Sequence, residues 1–233
     1  MLIHENILLA PYTYYKIGGP ARYFVQPQNI DDLKNISLFL QDKKVPLFLL
    51  GAGSNVLFAD EGFNGLVIQT SQVDRAFLQT ANTLELGVSI KAIEALRHCM
   101  TQGIAGLEML VGIPGSMGGI FFMNAGTKTG EIKDIIVQMT TFDLASGTLN
   151  QYTHDQIKYS YRKQNFLKET EIILKGTIQT KISSPTEVQN LIQSLLLTRK
   201  QTQPIDKPSC GSVFKNPDSK NSLHAWQLID QVG

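Results

Sequence analysis

The sequence predicts a mixed fold of α-helices and β-strands built around a core of ordinary size. Segments whose apolar residues recur every three or four positions, as in amphipathic helices, alternate along the chain with short apolar or alternating segments typical of strands. Glycine and asparagine turns separate the shorter strands. Hydrophobic residues make up 42% and charged residues 18% of the 233 residues, which is near the globular average and argues against disorder.

The first part of the chain is predicted to contain one helix between short strands. Asn29 and Asp31 are both suitable N-caps for this helix, whose apolar residues lie at the spacing of one buried face. Pro46 ends the helical pattern, and the apolar run after it is too short for a helix, so a strand is expected there. In order, we predict a strand over residues 21–26, a helix over 31–43, and strands over 47–50 and 65–69.

The second part is predicted to continue with short strands and two longer helices. From about Ser71 onward, turns around Asn82 and Gly87 separate the short strands. In order, we then predict a helix over 90–102 with Ile93, Leu96 and Met100 along it, strands over 135–142 and 172–180, and a helix over 186–200 with Val188, Leu191, Ile192, Leu195 and Leu196 on one face.

A break in the pattern near residue 204 predicts a domain boundary. Pro204, Asp206 and Pro208 interrupt the helical spacing. Residues 223–232 then have the spacing of the first turns of an amphipathic helix, with Trp226 expected in a core. A domain that starts here has about 30 residues, below the size that usually folds alone, so we expect the sequence to be incomplete at its C-terminus.

Composition excludes several classes of function. The formal net charge of +1 gives no electrostatic basis for binding nucleic acid or an acidic membrane surface. No apolar run approaches the ~20 residues of a membrane helix, and the N-terminus lacks the pattern of a secretory signal, so a cytoplasmic protein is expected. No His, Cys, Asp or Glu residues have metal-ligand spacing, so no metal site is expected.

Two glycine-rich turns carry the strongest indication of a ligand. Glycine permits a positive φ and close approach of a ligand, and successive amides in such turns form concave anion sites suited to a diphosphate. The Rossmann fingerprint is absent, because residues 51–56 read GAGSNV without the acidic residue expected downstream, and no P-loop lysine follows either turn. Each turn taken alone could also be a plain tight loop. The candidate diphosphate ligands are Gly51, Ala52, Gly53, Ser54 and Asn55 in the first turn, Gly112, Gly115, Ser116, Gly118 and Gly119 in the second, and Asn124, Ala125 and Gly126 just after it.

A series of motifs resembles one enzyme family. In order, the chain carries TYYKIGGPA at 13–21, GAGSN at 51–55, GIPGSMGG at 112–119 followed by NAG, YR at 161–162 and GSVFKNP at 211–217. This series resembles the UDP-N-acetylenolpyruvoylglucosamine reductases, also called UDP-N-acetylmuramate dehydrogenases, over almost the whole chain.

The resemblance implies an α+β fold with two parts. A two-lobe FAD-binding unit of the vanillyl-alcohol-oxidase (PCMH) type is followed by the start of a separate α+β substrate domain. The implied limits are residues 1–70 for the first FAD-binding lobe, 71–202 for the second lobe and 203–233 for the incomplete substrate-binding domain.

The resemblance also implies the reaction and its partners. NADPH reduces a noncovalently held FAD, and the reduced flavin passes hydride to UDP-N-acetylglucosamine enolpyruvate, which becomes UDP-N-acetylmuramate for peptidoglycan synthesis. The carbon next to the hydride acceptor then needs a proton donor, and the substrate carboxylate needs a cation. The implied partners are therefore this substrate and NADPH, with no nucleic acid and no membrane, and a monomer is expected.

The motifs assign candidate roles to individual residues through the resemblance. The glycine-turn residues given above are the implied FAD ligands. Ser212 is the implied proton donor, and Arg162 is the implied cation, whose guanidinium can pair with a carboxylate through two hydrogen bonds. The implied substrate-binding residues are Tyr161, Arg199, Lys215 and Asn216. Lys215 could equally be a solvated surface lysine, and Arg199 could complement a helix dipole instead.

One departure from the family pattern leaves alternatives open. The family carries a glutamate near its C-terminal end that completes the protonation machinery, and this sequence contains no counterpart up to Gly233. We therefore expect these 233 residues by themselves to be inactive in substrate reduction. The alternatives are another oxidoreductase of the same flavin fold, and a flavin- or nucleotide-binding module without full activity.

Overall fold

The computed structural model describes residues 1–203, 211–217 and 224–232. The strands are β1 (His4–Leu8), β2 (Pro20–Val25), β3 (Leu47–Leu50), β4 (Phe63–Gln69), β5 (Phe77–Gln79), β6 (Thr83–Gly87), β7 (Ile104–Ala105), β8 (Gly126–Thr127), β9 (Gly130–Glu131), β10 (Ile136–Asp143), β11 (Thr148–Thr153), β12 (Tyr159–Ser160), β13 (Lys163–Gln164), β14 (Glu171–Gln179) and β15 (Lys181–Ile182). The helices are α1 (Ile30–Lys43), α2 (Ala92–Gln102), α3 (Met117–Phe122), α4 (Pro185–Thr202) and α5 (Ala225–Val232). Short 3₁₀ turns occupy Ala10–Tyr12, Glu108–Leu110 and Ile132–Asp134.

The first sheet has the strand order β1-β2-β4-β3. β1 is antiparallel to β2, whereas β2 and β3 both run parallel to β4. Helix α1 begins at Asn29, whose side chain accepts a hydrogen bond from the Asp32 amide, so the N-cap prediction is confirmed for Asn29. Leu33 and Ile36 of α1 are fully buried in a cluster with the strand residue Leu66. The predicted apolar face of this helix is therefore the buried one.

The second sheet has the strand order β11-β10-β14-β6-β5 and is antiparallel throughout. Successive side chains of a strand point to opposite faces, and β14 shows this directly. Ile173 packs in the core cluster that contains α2 and α3, whereas Ile172 and Leu174 pack in the cluster that contains α1. The sheet therefore has an apolar core on each face, which explains the nearly continuous apolar run of β14.

The predicted elements are confirmed in type, and their ends are displaced by a residue or two. Of the apolar residues spaced along α2, Leu96 is buried, whereas Ile93 is 53% exposed. Ala92, Ala95 and Cys99 are also buried, so small residues contribute most of the packed face of α2. Of the predicted apolar stripe of α4, Val188 and Ile192 are buried, whereas Leu191 and Leu196 are exposed.

The chain divides into two compact units, Met1–Leu197 (unit 1) and Thr198–Gly233 (unit 2). Unit 1 contains both sheets and their cores. In unit 2, α5 has no buried residue, and Trp226 is 64% exposed rather than in a core. The proline-rich break at 204–208 lies outside the described residues, and the predicted domain limits stay a prediction. Every helix in the described part of the chain is too short or too polar to cross a lipid bilayer.

The buried carboxylate of Asp143 lies at the C-terminal end of β10. Asp143 is 2% exposed and accepts hydrogen bonds from Thr170 Oγ1 at 2.7 Å, the Ala145 amide at 2.9 Å and Lys168 Nζ at 3.0 Å. Burial by itself raises the pKa of Asp143, but these hydrogen bonds outweigh burial and lower the pKa from 3.8 to about 2. The carboxylate thus holds Lys168 and Thr170, which directly precede β14, against the end of β10.

Asp143→Asn is expected to lower the free energy of unfolding by about 1–3 kcal/mol at neutral pH, because it weakens hydrogen bonds to a buried charge. Since the folded pKa lies below the unfolded one, the stabilisation from ionised Asp143 is present above about pH 4 and is lost as the pH falls towards about 2. Denaturant unfolding at several pH values should show this loss in the wild type and not in the variant. The control, Lys168→Met, removes an exposed partner and should cost less than about 1 kcal/mol. Identical acid profiles for wild type and Asp143→Asn would contradict this role.

Candidate functional site

The two glycine-rich turns meet in unit 1. The first turn follows β3, and the second leads into α3. Ser54 Oγ of the first turn donates a hydrogen bond to the Pro114 carbonyl of the second at 3.3 Å. A Cβ placed on Gly51 would lie 2.7 Å from Ser116 Oγ, and one on Gly115 would lie 3.0 Å from Ser54 Oγ. A methyl group at Gly51 would therefore displace the Ser116 hydroxyl, and one at Gly115 would crowd the Ser54 hydroxyl.

The meeting point of the turns carries hydrogen-bond donors that the protein does not use. Within the described residues, the amides of residues 51–55, Gly112, Gly115 and Ser116 donate no hydrogen bond to another protein atom. The Ser116 hydroxyl is buried and also lacks a protein partner. Buried polar groups are nearly always paired in folded proteins. The buried Ser116 hydroxyl and the neighbouring amides therefore suit an anionic ligand such as the diphosphate of FAD.

The glycines of the two turns differ in what excludes a side chain. A Cβ on Gly53 would lie 2.1 Å from the Tyr12 carbonyl oxygen, and one on Gly118 would lie 2.2 Å from Val88 Cγ2. Both glycines are therefore required by packing within the protein. By contrast, a Cβ on Gly119 would have no atom within 4 Å, and Gly119 is exposed. The space beside Gly119 is therefore open to a ligand.

An open cleft of about 420 Å³ adjoins both turns. This volume lies in the range of small-molecule sites. Six of its lining residues were not among the predicted ligand contacts, namely Tyr14, Lys91, Ile93, Leu96, Ile113 and Pro114. The exposure of an apolar Ile93 at the start of α2 follows from this position. The cleft is lined by Tyr14, Ala52, Ser54, Lys91, Ile93, Leu96, Gly112, Ile113, Pro114 and Gly115.

The segment 124–126, predicted to bind the cofactor, uses its amides and carbonyls within the protein. The Asn124 and Ala125 amides donate to carbonyls of α3 residues at 3.4 and 3.0 Å. The carbonyls of Asn124 and Gly126 accept hydrogen bonds from Arg162 Nη1 at 3.1 Å and Nη2 at 3.3 Å. These contacts connect the segment to the arginine, and its role in cofactor binding stays a prediction.

Arg162 lies at the tip of the two-residue hairpin between β12 and β13. Its backbone is left-handed with φ 54°, which costs roughly 1–2 kcal/mol for a residue with a Cβ. The Tyr161 ring centroid lies 5.5 Å from the guanidinium carbon, within the range of a cation–π contact. Each terminal nitrogen donates once to a carbonyl. The guanidinium has five N–H groups, so donors remain for a carboxylate.

Tyr159 anchors the base of the same hairpin. Its hydroxyl donates a hydrogen bond to the Phe121 carbonyl at 2.6 Å. Burial raises the pKa of Tyr159, so the phenol stays protonated and remains a donor at neutral pH. This contact fixes the hairpin that carries Arg162 to helix α3, next to the second glycine turn.

The remaining candidate residues lie in unit 2. Ser212 and Lys215 are exposed there, and Gly211 before them has a positive φ of 66°. Asn216 Oδ1 accepts a hydrogen bond from the Ala225 amide at 3.0 Å, at the first residue of α5. Arg199 lies in the last turn of α4, where a cation complements the helix dipole. The roles predicted for these residues in the substrate site stay predictions.

Family models match both parts of the chain. One described as "FAD binding domain" matches residues 21–152, and one described as "UDP-N-acetylenolpyruvoylglucosamine reductase, C-terminal domain" matches residues 203–233. Curated relatives named UDP-N-acetylenolpyruvoylglucosamine reductase include one from Carboxydothermus hydrogenoformans, which is 34% identical over 98% of this chain and 74% of its own length. The relative from Chlamydia muridarum is 35% identical over 99% of this chain and 76% of its own length.

Solved structures give a consistent result. UDP-N-acetylenolpyruvylglucosamine reductase from Thermus caldophilus has a TM-score of 0.80 and 27% identity, over 100% of this chain and 81% of that chain. A BBE-like protein of Physcomitrella patens (TM-score 0.56, 15% identity, 73% of this chain and 38% of that one) shares the fold alone, as does a solvent-stable cholesterol oxidase (0.54, 12%, 77% and 38%). The predicted FAD-binding fold is thus confirmed, and the chain belongs to the UDP-N-acetylenolpyruvoylglucosamine reductase family.

Proposed function

We propose that this protein performs the NADPH-dependent, FAD-mediated reduction of UDP-N-acetylglucosamine enolpyruvate to UDP-N-acetylmuramate. The reaction belongs to peptidoglycan precursor synthesis, on which cell wall formation, cell shape and cell division depend. One observation carries the proposal beyond family membership. Unit 1 contains two adjacent glycine turns in which several backbone amides donate no hydrogen bond within the described part of the protein. It also contains an arginine that donates to two backbone carbonyls and has further N–H groups available. The first arrangement suits a dinucleotide diphosphate, and the second suits the carboxylate of an enolpyruvyl group.

FAD is held without a covalent bond in this proposal. The turn residues 51–55 and 112–119 supply the amides and the Ser116 hydroxyl for its diphosphate. The adjoining cleft, with Tyr14 and Ile93 along it, offers apolar surface to the rest of the nucleotide. When bound, FAD supplies hydride transfer from NADPH to the vinyl group of the substrate. The chain's own residues then have to bind the substrate and deliver a proton.

Arg162 is proposed to bind the substrate carboxylate. Its charge also stabilises the negative charge that develops beside the carboxylate after hydride addition. Because the hairpin and the carbonyls of Asn124 and Gly126 already fix the guanidinium, little reorganisation is required at the moment of reaction. Tyr161, stacked beside the guanidinium, is proposed to support this contact.

Ser212 is proposed to donate the proton. A serine hydroxyl is a weak acid, but the enolate formed from the substrate is a strong base, so a positioned serine suffices. Lys215 and Asn216 are proposed to contact substrate oxygens, and Arg199 the diphosphate of the UDP group.

We also propose that the protein acts in the cytoplasm as a monomer. Both of its substrates are charged nucleotides that do not cross membranes unaided, which favours the cytoplasm.

Arg162→Lys is expected to lower kcat/KM for UDP-N-acetylglucosamine enolpyruvate by about a hundredfold or more, because lysine keeps the charge but loses the planar fork. Reduction of the bound flavin by NADPH should stay close to wild type. Steady-state kinetics and anaerobic flavin reduction measure the two quantities. Because the 233 residues by themselves are expected to be inactive in substrate reduction, this and all later measurements with the substrate use a version with the family's C-terminal segment restored, and wild type denotes that version.

The matched control is Lys163→Met, which changes a neighbouring cation in the same hairpin and should leave kcat/KM nearly unchanged. Equal kcat/KM values for wild type and Arg162→Lys would remove Arg162 from the substrate site. A wild-type protein that binds FAD but shows no substrate-dependent NADPH oxidation would favour the non-catalytic flavin-binding alternative.

A further inference from the structure

Glu131 contacts several groups around Arg162, although no motif in the sequence singles it out. Its Oε2 accepts a hydrogen bond from Asn124 Nδ2 at 2.9 Å and lies 3.0 Å from Lys133 Nζ. Its Oε1 lies 3.8 Å from Arg162 Nη1, within the range of an ion pair. The Glu131 side chain is 23% exposed, so these interactions are only partly screened by solvent. The roles proposed above leave this carboxylate without a function.

Asn124 provides a second connection between Glu131 and the arginine. Asn124 is fully buried and has a left-handed backbone with φ 46°. Its side chain is fixed at both ends, because Nδ2 donates to Glu131 and Oδ1 accepts from the Lys133 amide at 2.9 Å. Its backbone carbonyl accepts from Arg162 Nη1. Glu131 therefore attracts the guanidinium directly and also holds the residue whose carbonyl orients it.

We propose that Glu131 is a positioning residue for Arg162, which orients the guanidinium towards the substrate carboxylate without touching the substrate itself. The inference rests on the proposed function of Arg162. One N–H of each terminal nitrogen is committed to a carbonyl, so the Nε–H and one further N–H on each terminal nitrogen stay available. A guanidinium held in this way loses less side-chain entropy when it binds a carboxylate than a free one would.

A double-mutant cycle with Glu131→Ala and Arg162→Gln tests the inference. The measured quantity is the rate at which UDP-N-acetylglucosamine enolpyruvate reoxidises the reduced flavin of the purified flavoprotein without oxygen. Glu131→Ala alone should slow this rate by about tenfold or more, since a displacement of the order of 1 Å is costly in an active site. In the Arg162→Gln background it should cause no further slowing. FAD content and flavin reduction by NADPH should stay at wild-type values.

Lys133→Met is the matched control. It removes the exposed cation beside Glu131 but keeps the Lys133 amide that donates to Asn124, so its rate should stay near wild type. If Glu131→Ala fails to fold, Glu131→Gln keeps an acceptor for Asn124, removes the charge, and should show a smaller slowing with the same dependence on Arg162.

The outcomes separate this inference from the proposed function. Two outcomes would overturn the positioning role alone, provided that the substrate reoxidises the wild-type flavin. In the first, the effects of the two substitutions on the free energy of activation add. In the second, Glu131→Ala slows both half-reactions equally. A wild-type flavin that the substrate does not reoxidise would refute the proposed function, and this inference with it.

Discussion

Gly119→Leu is expected to abolish FAD binding while the protein stays folded. No protein atom lies within 4 Å of a Cβ at this position, so the fold can accept the larger side chain. Leucine is also the better helix former, by about 1 kcal/mol relative to glycine. Gly119 lies in α3 about one turn beyond Ser116, where the unused donors are. A leucine there would occupy space that the flavin nucleotide needs.

The measurement is the flavin absorbance of the protein after loading with FAD, together with its circular dichroism and thermal unfolding. Ala81→Leu, in the exposed turn between β5 and β6, is the matched control and should bind FAD like wild type. Gly118→Leu should instead prevent folding, since its Cβ would meet Val88 at 2.2 Å. Normal FAD content in a folded Gly119→Leu protein would show that the cofactor does not lie along this surface.

Ser212→Ala is expected to slow the oxidation of reduced flavin by the enolpyruvyl substrate on the order of 10²-fold or more, because loss of a general acid typically has this effect. Reduction of the flavin by NADPH involves no proton from Ser212 and should be unaffected. Stopped-flow absorbance measures the two half-reactions separately. The position of Ser212 on an exposed segment leaves stability nearly unchanged on substitution.

Two variants serve as controls for Ser212. Val213→Ala truncates the exposed neighbouring side chain and should leave both half-reactions intact. Ser212→Thr retains a hydroxyl and should be less impaired than Ser212→Ala. Equal slowing of both half-reactions in Ser212→Ala, or slowing of neither, would count against a proton donor at this position.

The elements of unit 1 could be predicted because local patterns decide them. A four-residue apolar run after Pro46 is too short for a helix, and it forms β3 (Leu47–Leu50) as expected. Apolar spacing after the Asn29 cap predicted α1 within a residue. The spacing of large apolar residues did not reveal that Ala92 and Ala95 are buried in α2 or that Ile93 is exposed.

The candidate site could be predicted in its parts but not in its arrangement. The sequence shows that a glycine is present, but it does not show which atom excludes a side chain there. Tyr12 occupies the space where a Cβ on Gly53 would lie, and Val88 occupies that space at Gly118, whereas the space at Gly119 is empty of protein atoms. Tyr12 and Val88 come from other parts of the chain. The amides of Asn124 and Ala125 donate to carbonyls of α3, and the carbonyls of Asn124 and Gly126 accept from Arg162, 36 or more residues away. Such pairings are set by tertiary structure and leave no local signal.

The central claim is that this protein holds an FAD that NADPH reduces and the enolpyruvyl substrate reoxidises. The most direct measurement follows the absorbance of the protein-bound flavin without oxygen, first after NADPH and then after UDP-N-acetylglucosamine enolpyruvate. We expect NADPH to bleach the flavin and the substrate to restore the oxidised spectrum rapidly, with UDP-N-acetylmuramate formed in equal amount. A flavin that NADPH bleaches but that recovers no faster with the substrate than without it would show that this protein does not reduce the enolpyruvyl substrate.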